Sequence, residues 1–191
     1  VTLISSMREK LYIPRNADIM FRDPGPEVIE MMQQGLENED SDVSLSYAGA
    51  LLEAYPNESL PMILQRVRTL DHKTADQMLR LISLPGPEHV PELESLMQKS
   101  DAHLRATILD IVLAVDASDR ENKIRMALDS DNPRLVASAI HATYIYAVNG
   151  LVADAYLHWK RLLQGDINHL MASLRLLPIV SHLDLSKRHS M

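Results

Sequence analysis

Asp101-Ala102-His103-Leu104-Arg105-Ala106 and, about thirty residues further on, Asp131-Asn132-Pro133-Arg134-Leu135-Val136-Ala137 share one pattern: a short acidic or amide side chain followed by an apolar run at helical spacing. Asp and Asn side chains accept hydrogen bonds from the first-turn N–H groups that a helix cannot satisfy internally, so each stretch reads as the start of a helix. Pro133 falls where a first-turn proline is tolerated. Working outward, related turns stand at Asp40-Ser41-Asp42, Asp71-His72 and Asp166-Ile167-Asn168, again at intervals of about thirty residues.

Aligning the helix after each turn puts Ala48, Met78, Ile108, Ala139 and Leu174 at one position. Leu51, Leu81, Ile111, Ala142 and Leu177 follow three residues later, and Ser44, Thr74, Leu104, Leu135 and Leu170 stand four residues before. In the last three repeats this completes the i, i+4, i+7 stripe of an amphipathic helix. A second amphipathic segment precedes each of these helices. It is marked by Ile29, Met32 and Leu36, by Ile63, Leu64 and Val67, by Val90, Leu93 and Leu96, by Ile124, Ala127 and Leu128, and by Ala155, Trp159 and Leu162. Pro85-Gly86-Pro87 separates two units, and Asn149-Gly150 and Gly165 are expected as C-terminal caps. No alternating run is long enough to argue for a sheet. The expectation is an all-α chain of about five helical hairpins, each burying its apolar side on the next because a lone hairpin cannot bury it. Residues 23–185 form this repeat domain, residues 1–22 a strap or linker, and residues 186–191 a tail.

Composition narrows the function. The apolar residues, 46% of the chain against 4% aromatic, suit helix-on-helix packing. Nineteen basic against twenty-six acidic residues give a net charge of −7, the wrong sign for a protein that neutralises a phosphate backbone, so nucleic acid is not an expected partner. The absence of cysteine removes disulfides, thiolate nucleophiles and thiolate metal sites. The eight histidines include no pair at a ligand spacing such as HxxxH, and phosphate-cradling or nucleophile-elbow glycine motifs are missing. No cofactor, metal or catalytic residue is expected. Leu135 to Ala153 contains no Asp, Glu, Lys or Arg, but His141 and the Asn149-Gly150 break argue for a buried helix rather than a bilayer span. The chain opens on Val1-Thr2 and closes on His189-Ser190-Met191 without a leader or closing motif, and reads as a piece of something longer.

The acidic turn, the apolar residue, Arg105 and Ala106, with the parallel run from Asp131 to Ala137, resemble the HEAT repeats, although Ala75, Val136 and Met171 stand where Arg105 does. The resemblance implies a right-handed α-solenoid, armadillo-like in its stacking, used as a protein-binding scaffold. Asp23-Pro24-Gly25-Pro26-Glu27-Val28 through Leu51-Leu52-Glu53 is similar to the entry repeat of HEAT regions appended to bacterial transporter-like membrane proteins, some of them similar to nucleotide carriers. That implies a cytoplasmic segment, attached to the inner membrane through a region outside this sequence and itself inserting nothing into the bilayer.

Stacking turns equivalent residues into rows along the concave side formed by the second helices. Lys73, His103, Arg134 and His169 make one row, Gln77, Thr107 and Ser138 a second, and Arg80, Asp110 and His141 a third. Two readings stand: a groove that grips an acidic or phosphorylated segment, or an ordinary solvated helix face. Tyr144, Tyr146, Tyr156 and Trp159 are either a binding hot spot or inter-helix packing. The expected function is a non-catalytic interaction or regulatory module whose partner is a protein or another domain of the same polypeptide. The alternative is a helical-repeat enzyme, similar to DNA glycosylases, which need a basic groove, or to phycobilisome lyases, which need a deep apolar pocket.

Overall fold

Five short polar side chains start the second helix of each pair. In the computed structural model, which describes residues 26–83 and 85–177, Asp40, Asp71, Asp101, Asn132 and Asp166 each accept from backbone N–H groups of the turn that follows. The strap at residues 1–22, the tail at 186–191 and the closing stretch of the repeat domain after residue 177 lie outside the described residues.

The described residues are all-helical and contain no strand. The helices are α1 (Pro26–Leu36), α2 (Ser41–Ala54), α3 (Pro56–Val67), α4 (His72–Leu81), α5 (Val90–Lys99), α6 (Ala102–Val115), α7 (Arg120–Leu128), α8 (Pro133–Ile145), α9 (Val152–Gln164) and α10 (Ile167–Leu174). Single 3₁₀ turns cover Pro87–His89 and Asn149–Leu151. Two compact units divide between His89 and Val90.

In the first unit α1 pairs with α2 and α3 with α4, the second helices α2 and α4 lie side by side, and so do α1 and α3. Leu60, Ile63, Leu64, Met78 and Leu79 are fully buried between them. Removing a side chain of that size from water contributes about 1.5–3 kcal/mol. Arg66 donates from Nη2 to the Asn38 carbonyl at 2.9 Å, tying α3 to the turn between α1 and α2.

The second unit repeats the arrangement with α5 on α6, α7 on α8 and α9 on α10, and the second helices run α6, α8, α10 in contact. Its core holds Leu113, Ile124, Ile140, Leu151 and Leu176. Arg105 spans from its own helix to the Ser100 and Gln98 carbonyls at 2.8 and 3.2 Å, and Arg120 does the same for the Leu113 carbonyl at 2.7 Å. Both guanidinium groups thus satisfy carbonyls that a helix end leaves without partners.

Three expectations are corrected. Ile29 is exposed, and Val28 takes its place with Met32 and Leu36 on the buried side of α1. Leu81, Leu170, Leu174 and Leu177 are exposed as well, while Ile82, Ala172, Ser173 and Leu176 are buried. In α10 the N-cap explains the slip: counted from Asp166 as Met78, Ile108 and Ala139 are from Asp71, Asp101 and Asn132, the equivalent residue is Ser173; in α2 the same count from Asp40 gives the half-buried Tyr47, and Ala48 is the buried one. Finally, α8 ends before Asn149-Gly150. Ala147 adopts a left-handed conformation at φ 51°, and the Val148 N–H returns to the Thr143 carbonyl at 2.9 Å, a Schellman-type closure. Among the described residues no helix is long and apolar enough to cross a membrane.

Candidate functional site

The heads of α2 and α4, and those of α6 and α8, are hydrogen-bonded to one another. In the first, the Thr74 hydroxyl at the start of α4 meets the Ser41 hydroxyl at the start of α2 at 3.2 Å. In the second, Asn132 Nδ2 donates to the Ala102 carbonyl at 2.9 Å, and the Arg134 guanidinium meets His103 Nδ1. That last contact joins two residues placed in one row by their spacing, and it requires a His103 ring whose Nδ1 lacks a proton.

From three of the five N-caps a polar stripe runs at i, i+4, i+7: Lys73, Gln77 and Arg80 on α4, His103, Thr107 and Asp110 on α6, and Arg134, Ser138 and His141 on α8. All three residues on α4 are exposed, and Arg80 forms a two-pronged pair with Asp76 at 2.8 and 3.3 Å. Asp110, Arg134 and His141 are exposed and His103 is half-buried. Thr107 and Ser138 are buried, which takes them out of the expected binding row. For Ser138 the reason is local: α8 is packed on by α6, α7, α9 and α10, so only a narrow strip of its surface, through Arg134, His141 and Ile145, reaches solvent.

His169 heads α10, where its Nδ1 meets Asp166 at 2.8 Å. The hydrogen bond from that ring, together with the backbone N–H of His169, holds the Asp166 carboxyl below the usual range. His169 also lines a cleft of about 460 Å³ with Asp129, Asp131, Pro133, His158 and Arg161. His158 and Arg161 sit on α9, a first helix, and alignment of second helices has no signal for them. Carboxylates and cations are mixed there, so the cleft has no single sign of charge.

Tyr144, Tyr146 and Trp159 pack between helices, and Tyr156, exposed, meets Trp159 of its own helix. The Tyr156 and Trp159 rings lie 5.9 Å apart, the Arg120 guanidinium sits 4.0 Å from the Tyr146 ring centroid, and Tyr144, Tyr146 and Trp159 lean on the core of the second unit. Burial, with the neighbouring Tyr156, raises the Tyr144 hydroxyl above its ordinary pKa.

Among the described residues no group of three His, Asp or Glu is placed to hold a metal ion. Compared with known proteins, the chain matches no family model, no curated sequence and no solved structure.

Proposed function

We propose that the chain is a non-catalytic protein-interaction module, built as a HEAT-like right-handed solenoid of about five hairpins. Its second helices hold an acidic or phosphorylated segment of a protein partner or of another domain of the same polypeptide. The observation that carries this reading lies in the second unit, where polar stripes run at the same steps from the N-caps of α6 and α8 and His103 and Arg134 are in contact across the two helices; α4 of the first unit carries a stripe of the same spacing. Repetition at helix spacing suits an extended ligand better than a small molecule, because an extended chain meets one helix after another. Lys73 on α4 and Arg134 on α8 are each an exposed fixed cation two residues after an N-cap. Attachment to a bacterial transporter-like membrane protein, on its cytoplasmic side, belongs to the same proposal and is supported by the sequence resemblance alone.

The test is fluorescence anisotropy of a labelled poly-glutamate peptide at low salt. Lys73→Glu with Arg134→Glu is expected to abolish binding, with the helical circular dichroism unchanged. Equal affinity for the wild type and the double variant removes the reading. A heparin column separates the nucleic-acid alternative, since a duplex binder is retained at low salt and this chain is expected to flow through.

A further inference from the structure

Helix α10 is apolar on two opposite faces. Ala172, Ser173 and Leu176 are turned into the core of the second unit, where α10 packs against α8 and α9. Ile167, Leu170, Met171 and Leu174 lie within an arc of about 100° on the other side at 3.6 residues per turn. They are 69, 40, 58 and 53% exposed, and Leu177 just beyond the helix is 54% exposed. On α9, Leu157 and Leu163 are exposed in the same hairpin. A helix apolar on two opposite faces belongs between two packed layers, and scattered single apolar residues do not produce such a stripe. The free face is also the continuation of an existing interface: α6 carries α8, α8 carries α10, and α10 offers the next seat.

Charge indicates what fits that seat. The stretch Val152 to Leu177 holds three Lys or Arg, two Asp and two His, and the exposed Lys160 and Arg175 belong to the α9–α10 hairpin that carries the apolar face. Pro26 to Ala54, which is α1 and α2, holds seven Asp or Glu and no Lys, Arg or His. That hairpin also shows apolar residues outward, Ile29 at 39% and Met31 at 51% exposed, beside the exposed Glu30.

We propose that the outer face of α9–α10 docks the acidic α1–α2 hairpin of a second copy of this chain, head to tail. Two α9–α10 faces meeting each other would set one slightly positive hairpin against its like, without the opposite charge that the seven carboxylates of α1–α2 supply. A head-to-tail contact uses two different surfaces, so each pairing leaves one of each free and assembly proceeds past the dimer, into open chains or, where the rotation closes, rings. This proposal is independent of the polar stripes and stands or falls without them.

Sedimentation velocity of the full chain over a wide concentration range tests it. The expected result is a weight-average mass that climbs beyond a dimer as concentration rises and falls back when salt is added. Leu174→Glu and Met171→Glu are each expected to weaken assembly at least about tenfold, as buried hot-spot residues do. Both positions are exposed, and a thermal melt checks that the fold survives. A second pair of variants does not depend on those: Glu30→Lys with Glu37→Lys weakens assembly, and mixing that variant with Lys160→Glu plus Arg175→Glu restores it. A monomer at every concentration overturns the proposal, whether residues 178–191 or another protein covers the face. So does a dimer that stops growing and ignores the charge swaps, or assembly that Leu174→Glu leaves unchanged.

Discussion

The side-chain amide of Asn132, at the head of α8, donates to the backbone carbonyl of Ala102, at the head of α6, across 2.9 Å, while its own carbonyl oxygen accepts from the Arg134 N–H at 3.0 Å. One side chain therefore caps its own helix and ties it to the previous one. Asn132→Ser keeps a capping oxygen but is too short to reach Ala102, and is expected to lose about 1 kcal/mol. Asn132→Ala loses both bonds and is expected to lose about 2 kcal/mol. Urea midpoints in the order wild type, Ser, Ala would bear this out, and equal midpoints for Ser and Ala would deny the inter-helix bond any weight.

Gly35 is buried in α1 where that helix meets Tyr47 of α2, and a Cβ built on it would lie 2.5 Å from the Tyr47 ring. On helix propensity alone Gly35→Ala should gain about 1 kcal/mol. The ring is held close to its own backbone and has little room to yield, so the clash wins, and a net loss of about 1–3 kcal/mol is expected. Tyr47→Ala removes the obstacle. In the double variant Gly35→Ala is expected to be neutral or stabilising, a coupling that a double-mutant cycle of urea midpoints measures directly.

The helix starts were legible because an N-cap is a local event: Asp71 and Asp101 need only the two or three residues after them. The phase of α10 was not. With Ile167, Leu170, Met171 and Leu174 on one face and Ala172 and Leu176 on the other, periodicity cannot choose which side is inside, and Asp166 alone sets the count. Of the candidate site, the meeting of His103 and Arg134 followed from their spacing. The burial of Thr107 and Ser138 did not, because small hydroxyl side chains suit a seam between helices as well as they suit water.

Lys123 on α7 ties together Glu94 of α5 and, from the loop between α6 and α7, Asp119 at 3.2 Å and Asp116 at 3.5 Å. Its hydrogen bond to Glu94, then that to Asp119, raises its pKa against the cost of burial. Asp116 is lowered first by the Ser118 hydroxyl and Asp119 first by the Asn122 amide, with Lys123 contributing to both. The amine's contribution is present in full below the ordinary lysine value of 10.5 and is lost as pH rises through the raised one. The carboxylates' contribution is present above the ordinary value of 3.8 and is lost as pH falls through the lowered ones. Lys123→Met is expected to cost about 2 kcal/mol near neutrality. It should also remove the alkaline fall in a plot of urea midpoint against pH; a fall of the same size in the variant would assign it elsewhere.

Ala147 holds a left-handed φ of 51° at the end of α8, a conformation that brings Cβ against the backbone. Ala147→Gly relieves that crowding, and its greater freedom in the unfolded chain offsets part of the relief, leaving an expected gain of about 0.5–1 kcal/mol. Ala147→Val is expected to destabilise. Thermal melts give the ranking Gly, Ala, Val, and a lower melting temperature for the glycine variant would show the strain to be absent.

Gln77 and Ser138 stand six residues after their respective N-caps, Asp71 and Asn132, yet Gln77 is exposed and Ser138 only 6% exposed. A charge placed at each position separates register from environment. Gln77→Lys meets only solvent and is expected to change stability by no more than about 0.5 kcal/mol. Ser138→Lys must push a long cation into the space where α8 is packed by its neighbours, and is expected to cost about 3 kcal/mol through overpacking and desolvation. Ser138→Ala fits the same space and should stay within about 1 kcal/mol of wild type. A urea midpoint for Ser138→Lys as high as that for Gln77→Lys would mean that the middle of the α8 stripe lies open to water after all, and would return Ser138 to the binding row.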